Sequence, residues 1–314
     1  MKPRKDLLEI AALEDEEIEF ILDNAAPFKQ MFTRSVKKVP NLRGRTVLSL
    51  FYEASTRTSS SFEVAAKRVS ADVIALDVPH SSVSKGESVL DTVDTLQAMK
   101  ADYIVVRHGE SGIPHLIAKH THASVINAGD GQHAHPTQAL LDAFTFREAF
   151  PEMRGRKALI VGDLLHSRVA RSTSTILRRL GVEVGVLGPG TLVPPSRPEA
   201  LKRFKTWDEA LAWSPDVVYL LRIQMERQKV QYFPSLGEYH KVYGMTDDRL
   251  RQIRERGIFV MHPGPVNRGV ELTDEVMNYE RCLINRQVEN GIAVRMAVLY
   301  WLRPDAPPVE APLT

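Results

Sequence analysis

The segment 51–62, FYEASTRTSSSF, places hydroxyl side chains and one arginine between a predicted strand and a predicted helix. The first N–H groups of a helix lack acceptors within it, and the helix dipole is positive there, so this end favours an anion. Ser55, Thr56 and Thr58 add hydroxyl donors, and Arg57 adds a planar cation that can hold two phosphate oxygens. The same residues also fit a helix N-cap followed by a solvated arginine, and the local pattern leaves both interpretations open.

Further polar stretches follow other apolar runs of the sequence. They are 107–110 (RHGE), 135–138 (HPTQ), 162–168 (GDLLHSR), 221–224 (LRIQ) and 261–265 (MHPGP). Open α/β sheets bind their ligands outside the carboxyl ends of parallel strands. If each apolar run is a strand of such a sheet, these side chains collect at one edge of it.

Apolar β-branched runs alternate with amphipathic stretches along the chain, which is typical of βαβ units and a largely parallel sheet. The predicted strands are 46–51, 72–76, 103–106, 124–126, 157–161, 182–187, 217–221 and 257–260. The predicted helices include 14–32, 62–69, 89–99, 113–119, 169–180 and 288–301. A Gly/Pro-rich break at 188–195 interrupts the second half.

The chain has 314 residues, and a typical size of about 150 residues per domain predicts two domains. We place the boundary near 138–151. The first predicted domain comprises 1–140 with the last helix, 288–304, and the second comprises 141–287. The proline-rich segment 305–314 is predicted to be a tail.

Composition and charge exclude several classes of protein. Lys and Arg total 41 against 39 Asp and Glu, so the net charge of +2 gives no overall field that would recruit nucleic acid or an anionic membrane. Cys282 is the single cysteine, which excludes an internal disulfide and suits a reducing compartment. No signal peptide is apparent, and no apolar run reaches the ~18–20 residues of a membrane span. We expect a cytoplasmic protein.

The sequence predicts neither a metal ion nor an organic cofactor. His115, His120 and His122 lie close together, but no cysteine accompanies them and their spacing breaks the helical phase. His133 is interpreted as a loop residue beside His135.

Taken jointly, the polar motifs resemble those of the aspartate and ornithine carbamoyltransferases. S-T-R-T at 55–58, H-P-T-Q at 135–138 and M-H-P-x-P at 261–265 match in order and spacing, and the resemblance covers about 42–301. The aspartate branch is closer, because G-D-L at 162–164 with Arg168 and R-I-Q at 222–224 match its pattern. Gly264 departs from the Leu that some aspartate enzymes carry. The resemblance implies an α/β fold of two Rossmann-like domains, each a mainly parallel sheet flanked by helices.

The resemblance also implies a reaction, transfer of the carbamoyl group of carbamoyl phosphate to L-aspartate in de novo pyrimidine (UMP) biosynthesis. The residues implied to bind carbamoyl phosphate are Ser55, Thr56, Arg57, Thr58, Arg107, His135, Gln138, Gly264 and Pro265. Those implied to bind aspartate are Arg168, Arg222, Gln224 and Lys85. Those implied to be catalytic are Arg57, Thr58, Arg107, His135 and Lys85. The acceptor of the amine proton is left open, with the leaving phosphate as one candidate.

In this family a polar loop matching 81–87 reaches the active site of a neighbouring subunit. The resemblance therefore implies a homotrimer with shared active sites, in which Ser81 and Lys85 come from the neighbour. It leaves open whether regulatory chains or a dihydroorotase associate with the trimer.

Three other functions compete with this interpretation. An ornithine carbamoyltransferase would bind a substrate without a second carboxylate, and the pair Arg168 and Arg222 favours aspartate. A nicotinamide-dependent dehydrogenase would require G-x-G-x-x-G after the strand at 157–161, where the chain has GDLLH. An inactive homologue would be expected to lack Arg57, Arg107 or His135.

Overall fold

The computed structural model describes residues 4–76, 88–193, 201–224 and 232–302. Its contacts divide the chain into two units, Met1–Phe144 with Glu289–Thr314 and Thr145–Val288. Within the described ranges, no helix is both long and apolar enough to cross a membrane. The loop carrying Ser81 and Lys85 and the predicted tail 305–314 lie outside the described residues.

The strands form two sheets, one in each unit, and every strand pairing within them is parallel. The first sheet has β1 (Thr46–Phe51), β2 (Asp72–Leu76), β3 (Tyr103–His108) and β4 (Ser124–Asp130), in the spatial order β2-β1-β3-β4. The second has β5 (Lys157–Val161), β6 (Glu183–Leu187), β7 (Lys202–Phe204), β8 (Val217–Leu220) and β9 (Phe259–Met261), in the order β7-β6-β5-β8-β9. The predicted α/β class with two parallel sheets is confirmed.

Helices connect most of the parallel strands and also precede the first and follow the last of them. They are α1 (Asp15–Gln30), α2 (Thr56–Arg68), α3 (Val89–Ala98), α4 (Ile113–His120), α5 (Pro136–Ala149), α6 (Arg168–Arg179), α7 (Trp207–Ala212), α8 (Leu236–Tyr243), α9 (Asp247–Glu255), α10 (Asp274–Met277) and α11 (Ile284–Trp301), with a short 3-10 turn at Met31–Thr33. The division between the units falls inside α5 and inside α11.

The core of the first unit forms where helices cover its sheet. Leu48 of β1, Ile104 of β3 and Val125 of β4 are almost fully buried, and they pack with Val93 of α3 and Ile117 of α4. Burying these side chains stabilises the unit by roughly 1.5–3 kcal/mol each. The free edge of β4 is covered as well, because residue 7 exchanges backbone hydrogen bonds with residues 125 and 127 at 2.9 Å each.

In each sheet an aspartate at the amino ends of the central strands accepts hydrogen bonds from a backbone N–H and from an arginine. The Asp102 carboxylate accepts from the Thr46 N–H at 2.8 Å and from Nη1 of Arg45 at 2.5 Å. In the second unit Asp216 accepts from Nη1 of Arg156 at 3.1 Å and from the next backbone N–H at 2.8 Å. An acidic residue before one strand therefore fixes the start of its neighbour in both units.

Replacing Asp102 by alanine leaves the Thr46 N–H without its acceptor at a half-buried position. We expect the free energy of unfolding to fall by about 1–3 kcal/mol. Glu63→Ala is the control, since it breaks only the exposed pair with Lys67 and is expected to cost ~0.3–0.5 kcal/mol. Urea denaturation measures both losses, and equal losses would contradict the role given to Asp102.

Candidate active site

The first turn of α2 follows the carboxyl end of β1 and contains the S-T-R-T motif. Ser55 is the N-cap residue, its side chain makes no capping hydrogen bond, and the turn contains no acidic residue. Thr56 and Arg57 are exposed, whereas Thr58 is buried. The predicted helix start at residue 62 is therefore wrong. The hydroxyl residues are accommodated in the first turn because its N–H groups have no acceptors within the helix.

Arg107 lies at the end of β3, beside β1. It pairs with Phe51 in the sheet, and its carbonyl accepts from the Tyr52 N–H at 2.9 Å. Its Nε lies 3.2 Å from Oε2 of Glu53, and its Nη1 donates to the Ala128 carbonyl at 3.4 Å. The guanidinium is thus anchored both to the segment after β1 and to β4. Glu53, which the sequence pattern did not indicate, orients this cation.

His135 and Gln138 lie where β4 leads into α5, and both are buried. Nε2 of Gln138 donates to Oδ1 of Asp142 at 2.9 Å, one helical turn further on. Asp130 closes the preceding loop by accepting from the Ala134 N–H at 3.1 Å. Asp142 is a supporting residue that the sequence analysis did not identify, although its i,i+4 spacing from Gln138 is a readable signal.

Arg295 of α11 supports the helices that carry these side chains. Its Nη1 donates to Oγ of Ser61 at 2.8 Å, and its guanidinium carbon lies 4.9 Å from the centre of the Phe62 ring. Burial lowers the pKa of Arg295 to about 10, while the Asp142 carboxylate acts in the opposite direction. Because this pKa remains above neutrality, Arg295 is a buried cation that contacts α2 and faces the Asp142 charge on α5.

In the second unit, Arg168 is the first residue of α6 and is 2% exposed. The preceding residue, Ser167, caps the helix with its hydroxyl. His166 lies between two partners, with Nδ1 3.0 Å from Oδ2 of Asp163 and Nε2 3.2 Å from the hydroxyl of Tyr232. These contacts fix the loop between β5 and α6 and therefore the position of Arg168.

Arg222 and Gln224 follow β8, and the backbone between them is anchored by a buried acid. Oε1 of Glu271 accepts from the Ile223 N–H at 2.8 Å, and Oε2 accepts from the Asn267 N–H at 2.6 Å. Burial raises the pKa of Glu271, and these hydrogen bonds act against the rise. Oε1 of Gln224 is buried and accepts no hydrogen bond from the described residues. It is an acceptor suited to a ligand N–H.

Gly264 and Pro265 lie after β9, joined by a cis peptide bond. The Gly264 N–H donates to Nδ1 of His262 at 2.8 Å, and the His262 N–H donates to Oε1 of Gln287 at 3.0 Å. Gly264 has φ +63°, which a residue with a Cβ adopts only with strain. Glycine therefore suits the backbone of this chain at position 264.

The predicted site residues therefore lie at the carboxyl edges of the two sheets. In the first unit these are Ser55, Thr56, Arg57, Thr58, Arg107, His135 and Gln138, which lie at the end of the adjacent strands β1, β3 and β4 or just after it. In the second they are Arg168, Arg222, Gln224, Gly264 and Pro265, which follow the adjacent strands β5, β8 and β9. The roles assigned to these residues remain predictions.

Two family models cover most of the chain. Residues 5–148 match the carbamoyl-P binding domain of aspartate/ornithine carbamoyltransferases, and residues 154–302 match the Asp/Orn binding domain of the same family. The chain belongs to the aspartate/ornithine carbamoyltransferase family. This membership counts against the dehydrogenase interpretation.

Relatives within the family agree with this assignment. The chain is 64% identical, over 96% of its length and 98% of the relative's, to a protein of Akkermansia muciniphila named aspartate carbamoyltransferase catalytic subunit. Among solved structures, it resembles aspartate transcarbamoylase of Trypanosoma cruzi in complex with N-(phosphonacetyl)-L-aspartic acid, with a TM-score of 0.86, 27% identity and 96% coverage of both chains. It also resembles the catalytic subunit of M. jannaschii aspartate transcarbamoylase, with a TM-score of 0.82, 34% identity and coverage of 94% and 97%.

Proposed function

We propose that the chain transfers the carbamoyl group of carbamoyl phosphate to the amino group of L-aspartate, giving N-carbamoyl-L-aspartate and phosphate for de novo pyrimidine (UMP) biosynthesis. The observation that carries this is the 64% identity, over nearly the whole chain, to a protein named aspartate carbamoyltransferase catalytic subunit. The choice of aspartate over ornithine is supported by Arg168 and Arg222, because two cations suit a substrate with two carboxylates.

Carbamoyl phosphate binds at the first turn of α2. The backbone N–H groups of that turn and the hydroxyls of Ser55, Thr56 and Thr58 donate to the phosphate, and Arg57 pairs with it through its guanidinium. The absence of acidic residues from this turn supports the role, since a carboxylate there would repel the phosphate. Gln138, with the backbone of Gly264 and Pro265, orients the carbamoyl amide group.

The chemical step is attack of the aspartate amine nitrogen on the carbamoyl carbon. The carbonyl oxygen becomes an oxyanion as the N–C bond forms, and Thr58, Arg107 and His135 donate to it. The C–O bond to phosphate then breaks, and phosphate leaves with the bonding electron pair. The amine gives up a proton, for which the leaving phosphate is a sufficient acceptor. Donors aimed at a developing oxyanion are typically worth about 2.7–4 kcal/mol each.

The second substrate is held by Arg168, Arg222 and Gln224, which face its carboxylates and amine with complementary charge and polarity. Charge-assisted pairs of guanidinium and carboxylate are frequently bidentate and therefore orient the substrate as well as bind it. Holding both substrates together makes the reaction effectively unimolecular. Oε1 of Gln224, which has no hydrogen-bond partner among the described residues, supports a contact with the amine.

The active enzyme is a cytoplasmic homotrimer in which Ser81 and Lys85 enter the site of a neighbouring subunit. The single cysteine supports the reducing compartment. Edge strand β2, which leads toward that loop, supports a subunit contact, because Ile74 is 43% exposed there.

The reaction is tested by incubating the purified chain with carbamoyl phosphate and either L-aspartate or L-ornithine. We expect carbamoyl-aspartate with the first and no citrulline with the second. Citrulline formation, or the absence of either product from a folded trimer, would overturn the proposal.

The shared site is tested by mixing two inactive variants. Arg57→Ala and Lys85→Ala chains, each nearly inactive alone, are expected to regain activity when dissociated and reassembled together. In a mixed trimer, one interface pairs the intact Arg57 of one variant with the intact Lys85 of the other, so that site is complete. Wild-type chains and each variant alone are put through the same procedure as controls. No recovery in the mixture, with full recovery of wild type, would mean that Lys85 does not act across an interface.

A further inference from the structure

Two histidines and two acids of the first unit converge beside the loop that leads to His135. His115 of α4, Asp130 at the end of β4 and His133 of the following loop each offer a nitrogen or oxygen ligand, and these atoms all lie within 4.8 Å of one another. The rings of His115 and His133 are edge-to-face with centroids 5.5 Å apart. Glu9 adds a second carboxylate, with Oε2 3.4 Å from Nε2 of His133.

The spacing of Asp130 and His133 fits neighbouring ligands of one small ion. Oδ2 of Asp130 lies 3.0 Å from Nδ1 of His133, and ligands bound at about 2.0–2.1 Å in a tetrahedral site lie roughly 3.3 Å apart. Oδ2 also accepts from the Gly112 N–H at 2.8 Å. A carboxylate oxygen has two acceptor positions, so an ion would replace only the hydrogen bond from His133.

His133 also has the partner that metal-bound histidines usually have. Such a histidine donates its second ring N–H to a carboxylate or carbonyl, which fixes the tautomer and the ring orientation. With Nδ1 directed at Asp130, Nε2 is left to donate to Glu9. Glu9 therefore contacts His133 on one side, and the ion site lies on the other side, between His133 and Asp130.

His115 provides an independent observation. Its Nδ1 is buried, and no hydrogen-bond partner is present for it among the described residues. A buried ring nitrogen without a partner is costly, and an ion bound through Nδ1 of His115 would remove that cost. His115 and His133 are each only partly buried, whereas Asp130 is fully buried, so the two histidines are in part reached by solvent and the acid is not.

We propose that His115, Asp130 and His133 bind a divalent transition-metal ion, with Zn²⁺ as the best match, and that Glu9 accepts from the second nitrogen of His133. Two imidazoles and one carboxylate are ligands that favour Zn²⁺ over Mg²⁺ or Ca²⁺, and water completes a fourth position. The ion joins α4, the end of β4 and the loop before His135, and Glu9 links the amino-terminal segment to it through His133. This site differs from the histidine set 115, 120 and 122 weighed from the sequence, where no metal was expected.

The site is tested by direct binding of Zn²⁺ to the full chain after removal of metals with a chelator. Equilibrium dialysis followed by atomic absorption counts ions per chain. We expect wild type to hold one more Zn²⁺ per chain than His115→Gln, and Glu9→Gln to bind that ion about 10- to 100-fold more weakly. His120→Gln is the matched control, because His120 lies on the same helix but is exposed and outside the cluster. It is expected to bind as wild type does.

Three outcomes of the dialysis measurement would overturn the site. If wild type binds no such ion, or if His115→Gln keeps the wild-type stoichiometry while circular dichroism shows it folded, the site does not exist. Equal losses in His115→Gln and His120→Gln would mean adventitious surface binding and would also overturn it.

Discussion

Replacing Arg57 or His135 by alanine is expected to lower kcat by about 10²- to 10³-fold, which is the usual cost of removing one preorganised donor from a developing oxyanion or leaving group. Arg57 lies exposed in the first turn of α2, whereas His135 is 4% exposed after β4. Neither residue belongs to an apolar core, so the loss should appear in turnover and not in folding. Steady-state kinetics with both substrates saturating measures it.

The control for Arg57 lies on the same helix. Lys67 occupies the last turn of α2 and pairs with Glu63 on an exposed face, so Lys67→Ala removes a cation of α2 without touching the proposed site. We expect its kcat to match wild type. Because His135 is buried, His135→Gln is measured beside His135→Ala, with urea unfolding of both. Wild-type turnover in Arg57→Ala, or in both His135 variants, would refute the roles given to these residues.

Replacing Arg222 by leucine is expected to weaken the binding of aspartate far more than the binding of carbamoyl phosphate. A charge-assisted pair with a carboxylate is worth roughly 1.5–3 kcal/mol, which corresponds to about 10- to 150-fold in kcat/KM for aspartate. The KM for carbamoyl phosphate should change little, because its proposed ligands lie mainly in the first unit. Leucine retains the apolar bulk of the side chain while removing the charge.

Arg251→Leu is the matched control for that measurement. Arg251 lies on α9 of the same unit, where it is exposed and pairs with Asp248 at 2.5 Å. Its loss should leave the kinetic constants for both substrates unchanged, since exposed pairs of this kind contribute only ~0–1 kcal/mol even to stability. Equal losses for aspartate and carbamoyl phosphate in Arg222→Leu would indicate a general disturbance of the unit and would contradict a specific role in aspartate binding.

Glu53, Asp142 and Glu271 support the proposed site from outside the sequence motifs, whereas Asp163 belongs to the G-D-L motif. Glu53 orients Arg107, Asp142 orients Gln138, and Glu271 anchors the backbone beside Arg222. Asp163 likewise orients the side chain of His166, in the loop before Arg168. Each is an acid that places a polar or cationic group. Glu53, whose Oε2 lies 3.2 Å from Nε of Arg107, also offsets part of the charge of that cation.

The sequence by itself determined the fold class and most of the strands, although β7 (Lys202–Phe204) was not predicted. Runs such as 46–51 and 157–161 are mostly apolar, because parallel strands covered on both faces need no polar alternation. Their predicted bounds match β1 and β5. The motifs were likewise readable, since each lies after such a run and the direction of the chain already places it at a carboxyl edge.

Only the tertiary structure revealed helix α5, inside which the division between the two units falls. Helix α5 was not predicted, because every residue from 136 to 146 is buried and a helix without an exposed face lacks the amphipathic period by which helices are recognised. For the same reason the predicted boundary region, 138–151, gave no sign that the division lies inside a helix.

The pairings between distant residues were also decided by the tertiary structure. Asp102 meets Arg45 and Asp130 meets His115 only after strands and helices have packed, because nothing in local spacing specifies which loops become neighbours at a sheet edge. Local sequence determines where helices and strands form and where they end, through short-range sterics and hydrogen bonding. Contacts between residues far apart in sequence depend on the strand order β2-β1-β3-β4, and that order is set by how whole faces bury each other.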